Sequence, residues 1–225
     1  MSSTADAVAP EQPVVDSERE AMRDALASAL GDALVDSVIR PGADLWVRVT
    51  TEAWADAGRA VRDVLGCTYF GFLSALDWMP SPWGRGEDDP TEPPPERSTE
   101  IVQGVTGGAT RFQVLARVHS TTTHRGITLK ADVTDDMRIE SWVPIYSGAD
   151  WHEREAWEMF GIDFVGHPHL HHIYLPGDFE GHPLRKDFPL VARMVKPWPG
   201  LVDVEPMPGE PDDDEEADAT AEEES

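Results

Sequence analysis

Between Gly161 and Gly200 the chain carries Pro168, Pro176, Pro183, Pro189, Pro197 and Pro199 together with Gly161, Gly166, Gly177, Gly181 and Gly200. Proline removes helix and ladder donors alike, so no long helix or central strand can run through that density. Yet Phe160, Phe164, Tyr174, Phe179, Phe188 and Trp198 are spaced along it. Disordered chains are poor in such residues, and a long structureless loop inside a compact domain is uncommon. The pattern predicts an extended arm over 161–204. Its aromatic anchors and the basic pair Arg185-Lys186 suit docking on an acidic partner; the other path open to it is back over its own domain.

The residues just upstream read as a helix. Asp150 is expected as N-cap, Glu153 lies three residues on where a capping carboxylate belongs, and Gly161 is the stop. Arg154 and Glu158, at i, i+4, are expected to pair. Glu153 and Glu158 are five apart and do not share a helix face, whereas Glu155 and Glu158 do. That spacing favours structure or interface over paired-acid catalysis.

Earlier in the chain, residues 1–15 read as disordered. Asp16 and Ser17 offer caps for a helix facing inward through Met22, Leu26, Ala29 and Leu30, ended by Gly31. Residues 33–40 and 45–49 read as a hairpin around the Pro41-Gly42 turn. Thr51 is expected to cap a second helix, with Trp54, Ala57, Val61, Val64 and Leu65 inward and Gly66 as its end. Tyr69 to Leu76 reads as a short buried strand. Residues 79–98 form a Pro/Gly-rich loop. Alternation over 112–118 and 127–133 predicts two more strands joined as a hairpin, and 141–146 a helical turn. The order α-β-β-α-β-β-β-α predicts an α+β two-layer domain over 16–160, mostly antiparallel, with helices on one face of the sheet.

Charge narrows the function. The formal net charge is −25, which disfavours nucleic acid, because phosphate contacts need clustered Lys and Arg. Eleven of the 43 acidic residues lie in 205–225, which reads as a solvated acidic tail. Cys67 is the only cysteine, so an iron–sulfur cluster held by this chain alone is excluded. No signal peptide is visible, and the longest near-apolar run is far below the roughly 20 residues of a membrane span. Membrane association is expected only through partners.

Six of the eight histidines lie between His152 and His182. His167, His169, His171 and His172 resemble a metal cluster, which would make a metalloenzyme. Pro168 and the nearby glycines argue against a shared face, and no metal site is assigned. Arg185-Lys186-Asp187 lacks the Gly-rich loop of a phosphate site. No GxGxxG or GxSxG motif occurs either.

The run ERExWEMFGIxF (Glu153 to Phe164), then Gly166-His167-Pro168, then Gly181-His182-Pro183-Leu184-Arg185-Lys186-Asp187-Phe188-Pro189-Leu190, resembles the signature of the C subunit of proton-pumping NADH:quinone oxidoreductase, the 30-kilodalton subunit family of respiratory complex I. The chain departs from it at His171-His172, where arginine is usual nearby, and at Phe179, where tryptophan is usual. The resemblance implies an α+β fold and a non-catalytic structural subunit on the cytoplasmic side of the cell membrane. It implies packing against the D subunit of the complex, which builds the quinone site with the B subunit. FMN, iron–sulfur clusters and quinone would belong to the assembled complex and none to this chain. A partner interface is expected at Glu153, Arg154, Glu155, Phe160, Phe164, His167, Tyr174, Phe179, His182, Arg185, Lys186, Asp187 and Phe188. Related membrane-bound hydrogenases and non-NADH dehydrogenases use a similar subunit, so the electron donor rests on analogy. An acidic adaptor without a redox link is the remaining class.

Overall fold

The computed structural model describes residues 16–82 and 96–189. The expected disordered N-terminus, most of the Pro/Gly-rich loop, the acidic tail and the arm beyond 189, including Trp198, lie outside the described residues. The chain divides into a unit of Met1–Pro82 with Arg97–Phe188 and a second of Trp83–Glu96 with Pro189–Ser225. Every element below belongs to the first.

Helix α1 (Ser17–Leu30) begins where the Asp16 carboxylate accepts the Arg19 amide at 3.2 Å, and it ends at Gly31. Strands β1 (Leu34–Val38) and β2 (Leu45–Val49) form the expected hairpin. Helix α2 (Trp54–Asp63) and strands β3 (Tyr69–Asp77), β4 (Phe112–Ser120) and β5 (Arg125–Val133) follow. Then come β6 (Arg138–Glu140), α3 (Ala149–Phe160) and β7 (Asp163–Val165). The main sheet has the order β1-β2-β5-β4-β3. Two antiparallel blocks, β1–β2 and β3–β4–β5, join where β2 lies parallel to β5 with Val47 opposite Leu129. The short strands β6 and β7, absent from the expected order, make a separate parallel pair. The architecture is α+β with a mixed, mostly antiparallel sheet.

One face of that sheet is the core. Leu45, Val47 and Val49 of β2, Val114, Ala116 and Val118 of β4, and Ile127, Leu129 and Ala131 of β5 are buried in one cluster. Leu26 of α1, Trp54, Ala57 and Val61 of α2, and Ala156 and Phe160 of α3 join it. Trp142 stacks on Trp54 with ring centres 4.5 Å apart and donates Nε1 to the Trp54 carbonyl at 3.0 Å. Gly58 makes this possible: a Cβ there would lie 2.7 Å from Trp142 Cε2.

Several local expectations change. Thr51 does not cap α2; it opens a 3-10 turn, Thr51–Ala53, and its hydroxyl donates to the Asp132 carbonyl at 2.7 Å. Val64 lies past the end of α2 and is exposed, as is Ala29 in α1. Strand β3 is an edge strand paired only with β4; Leu73 and Ala75 point into the core, whereas Phe72 and Leu76, alternating with them onto the other face, are exposed, as is Tyr69. The polar face of the sheet is also covered. Segment 104–110 lies over Gln113 and Lys130, both buried, and its carbonyls take up the donors beneath. Lys130 Nζ donates to Val105 O at 2.5 Å, Arg48 Nε to Thr106 O at 2.7 Å and Gln113 Nε2 to Gly107 O at 3.2 Å. Burial, and then the charge of Arg48, push the Lys130 ammonium down to about 8.

Candidate functional site

Helix α3 carries two stripes. Ala149, Glu153, Ala156 and Phe160 are buried against the domain. Asp150, Arg154 and Glu158, spaced one turn apart, hold the arm. The helix starts at Ala149 after Gly148, so Asp150 is inside it and not its cap, and Glu153 is not a capping carboxylate. Glu153 is fully buried instead. Its carboxylate accepts the Trp142 amide at 2.5 Å and the Ser141 hydroxyl at 2.6 Å, which ties α3 to the turn after β6. Burial pushes its carboxyl up to about 7; the two hydrogen bonds oppose that rise, and the nearby Asp150 charge adds to it.

The arm runs alongside α3 in the same direction, and its contacts step up the helix. His167 Nε2 donates to the Asp150 carbonyl at 3.3 Å. Arg154 donates Nε to the His171 carbonyl at 3.0 Å and Nη2 to His171 Nε2 at 2.6 Å. The Glu158 carboxylate then accepts the amides of Ile173, Tyr174 and Leu175 at 3.1, 3.1 and 2.6 Å, and His172 Nδ1 at 3.0 Å. Burial alone would raise the Glu158 carboxyl, but the donors from Leu175, Ile173, His172 and Tyr174 outweigh it and hold the group below the ordinary carboxylate range. The expected Arg154–Glu158 pair is not formed, because each has a better set of partners on the arm.

The end of α3 explains the second half of the motif. A helix leaves its last four carbonyls without intrahelical donors. Here Trp157 O takes the Gly161 amide at 2.9 Å and Glu158 O takes His182 Nδ1 at 2.9 Å. Met159 O takes the Leu184 amide at 3.2 Å, and Phe160 O takes Arg185 Nε at 2.7 Å. All four are satisfied, and a guanidinium stands at the negative end of the helix dipole. Gly161 is required twice over. It sits at φ +74°, and a Cβ there would come within 2.5 Å of His182 Nε2 and 2.6 Å of Arg185 Nη2.

A second clasp fastens the following residues to the sheet. Asp77, with its side chain fully buried, accepts Arg111 Nε at 2.8 Å, Arg111 Nη2 at 2.6 Å, the Met79 amide at 3.0 Å and the Lys186 amide at 2.8 Å. Arg111 reaches on to Asp187 with bonds of 3.0 and 2.9 Å. Burial would raise the Asp77 carboxyl, but Arg111 and the two amides hold it below its usual range.

The expected interface residues therefore divide. Glu153, Arg154, Phe160 and Phe164 are buried within the chain, and Glu155 is half-buried. His167, His182, Arg185 and Asp187 bond to the domain as given above, and Phe188 stacks at 6.0 Å on Phe179. Arg185 meets the Phe160 carbonyl and the Phe112 ring of its own chain. Tyr174, Phe179 and Lys186 are exposed. Of the two paths open to the arm, residues 167–188 take the one back over their own domain. The histidines bond to one another and to α3, with His171 Nδ1 donating to the His169 carbonyl at 3.0 Å. His171 Nε2 accepts from Arg154 and His167 Nδ1 from the His169 amide, so the lone pairs a metal would need there are taken. No group of three or more potential metal ligands occurs among the described residues. Asp77 and Arg111 were not singled out from sequence. An Asp at the end of an apolar strand, where a buried charge requires a partner, was the available signal.

Fold and clasps together define an α+β module whose distinctive motif holds an irregular arm against the last helix and an edge strand. Residues 47–194 match the family of the respiratory-chain NADH dehydrogenase 30 Kd subunit, and the chain belongs to that family. It is similar to the C/D subunit of the NADH-quinone oxidoreductase of Salmonella heidelberg (strain SL476) and of Salmonella typhi, 44% identical in each case over 91 residues. The match covers 40% of this chain and about 15% of the length of those relatives. A chain of an archaeal respiratory membrane complex, the membrane-bound sulfane sulfur reductase, shares the fold with a TM-score of 0.53 at 19% identity, over 79% of this chain and 88% of that one. The trypsin-resistant fragment of Nqo5 matches with a TM-score of 0.45 at 20% identity, over 66% and 98%.

Proposed function

We propose that the chain is a non-catalytic structural subunit in the peripheral arm of complex I, which passes electrons from NADH through FMN and iron–sulfur centres to a quinone and couples this to proton translocation. The observation that carries this reading is the family match over 47–194, which contains both halves of the helix–arm clasp. The partner is the D subunit, close to the B subunit and the quinone. The name C/D of the Salmonella relatives, in which a C-like and a D-like part share one protein, supports that partnership.

The redox groups belong to other subunits in this reading. Cys67 is the only thiol; it is buried, and burial followed by the charge of Asp44 pushes it up to about 11, so it does not suit a cluster ligand. Glu153, whose carboxyl burial raises to about 7, has both oxygens engaged inside the domain by Ser141 and Trp142. No helix among the described residues is long and apolar enough to cross a membrane, in keeping with attachment through partners on the cytoplasmic side. The test is gentle affinity purification of the tagged chain from membranes. The D and B subunits should accompany it, with NADH:quinone activity in the assembly and none in the separated chain. Recovery of the chain without respiratory subunits, or NADH oxidation by the chain alone, overturns the proposal.

A further inference from the structure

Between its two attachments to Glu158 the arm makes an excursion. The Glu158 carboxylate holds the amides of residues 173–175, and the Glu158 carbonyl takes His182, so the chain leaves and returns to one residue of α3. The excursion is itself turned, with the Phe179 amide on the Pro176 carbonyl at 3.0 Å, and Gly181 lets it close against Phe188. Tyr174 is 63% exposed and Leu184 50% exposed, although the backbone amide of each is fixed to α3. Large apolar side chains held outward on a fastened backbone lose little conformational freedom on docking, and tyrosine is enriched at such contacts. Asp178 and Glu180 lie exposed between them, while the charges of Arg185 and Arg111 are directed to groups of the chain itself.

We infer that this excursion is a recognition tip: Tyr174 and Leu184 enter an apolar pocket of a partner polypeptide whose rim carries Lys or Arg facing Asp178 and Glu180. The inference rests on the reading that the chain docks within a respiratory assembly, and it specifies the chemistry of that contact. It departs from the polarity expected of Arg185, because that guanidinium is turned inward and the stretch between Tyr174 and Leu184 presents carboxylates, with the exposed Lys186 lying beyond it. The backbone clasp needs neither apolar side chain, since it uses amides that alanine retains.

The experiment is salt-graded co-purification from membranes of the full tagged chain, the Tyr174→Ala/Leu184→Ala variant and the Asp178→Lys/Glu180→Lys variant. Thermal unfolding of each purified chain runs alongside. Each variant should unfold at the wild-type temperature and retain about tenfold less of the accompanying subunits, and the charge reversal should act most at low salt. Full retention by either variant overturns the inference while the proposed function stands. If the wild-type chain itself recovers no respiratory subunits, the proposed function fails instead. Should the apolar variant be unstable, the charge reversal decides alone, since both of its positions are exposed.

Discussion

Arg185 closes the end of helix α3 by donating Nε to the Phe160 carbonyl at 2.7 Å, with its guanidinium carbon 5.4 Å from the centre of the Phe112 ring. The contact joins the arm's basic motif to the helix that precedes it. Arg185→Ala should therefore lower the stability of the free chain by about 2 kcal/mol, the usual value of a hydrogen bond made by a charged group. Arg185→Lys should fall between the two, because it keeps the cation at the helix end but not the planar donor. Chemical unfolding of the purified chain measures this. An unchanged midpoint for Arg185→Ala would contradict the capping role.

Glu158 should make the arm's attachment sensitive to acid. Its folded carboxyl is held below the ordinary 4.5, so the stabilisation is complete above that value and is lost as pH falls through the lower folded value. Amide exchange of residues 173–175 should be slow at neutral pH and, after correction for intrinsic rates, lose protection only in acid below about 4.5. Glu158→Gln should weaken that protection at neutral pH.

Glu153 should act in the opposite sense. Its folded value near 7 lies above the ordinary 4.5, so the folded state keeps a proton that the unfolded chain releases. Its contribution is complete below about 4.5, declines as pH rises, and is lost beyond about 7, a change on the order of 3 kcal/mol. Glu153→Gln, which cannot ionise, should flatten the fall in stability between pH 5 and pH 8. A parallel decline in wild type and variant would show that Glu153 is not its source.

Arg111 and Asp187 should differ sharply although they are partners. Arg111→Ala leaves the Asp77 carboxylate buried without its counter-charge, and should cost about 3–5 kcal/mol. Asp187 is half exposed, and Asp187→Asn should cost under about 1 kcal/mol. Unfolding curves of the two variants check the ranking, which would be wrong if the costs were equal.

Local pattern was enough for the elements whose caps, stops or side-chain alternation can be read over a few neighbouring residues. The Asp16 cap and Gly31 stop bound α1, alternation marks β4 and β5, and proline with glycine forbids long regular structure after Gly161. The helix–arm motif was legible as a unit because its residues are dense in the chain. Its two pieces were not legible as one capping device, since nothing in the sequence says that Arg185 returns to Phe160. The same limit hid the parallel pairing of β2 with β5 and the cover of 104–110 over Lys130. Each joins residues tens of positions apart, where the match of donor to acceptor exists only once the sheet has formed.

By itself the sequence determined the family, the α+β composition and the irregular character of the arm. These follow from residue types at short spacing: period-two alternation, caps, and the missing amide of proline. Only the tertiary structure decided that Glu153 faces inward and Glu158 outward to the arm. It also decided that Arg185 serves its own helix while Tyr174 remains free. The physical reason is that a buried charge or an unpaired carbonyl must find a partner, and which group comes within 3 Å is set by packing across the chain.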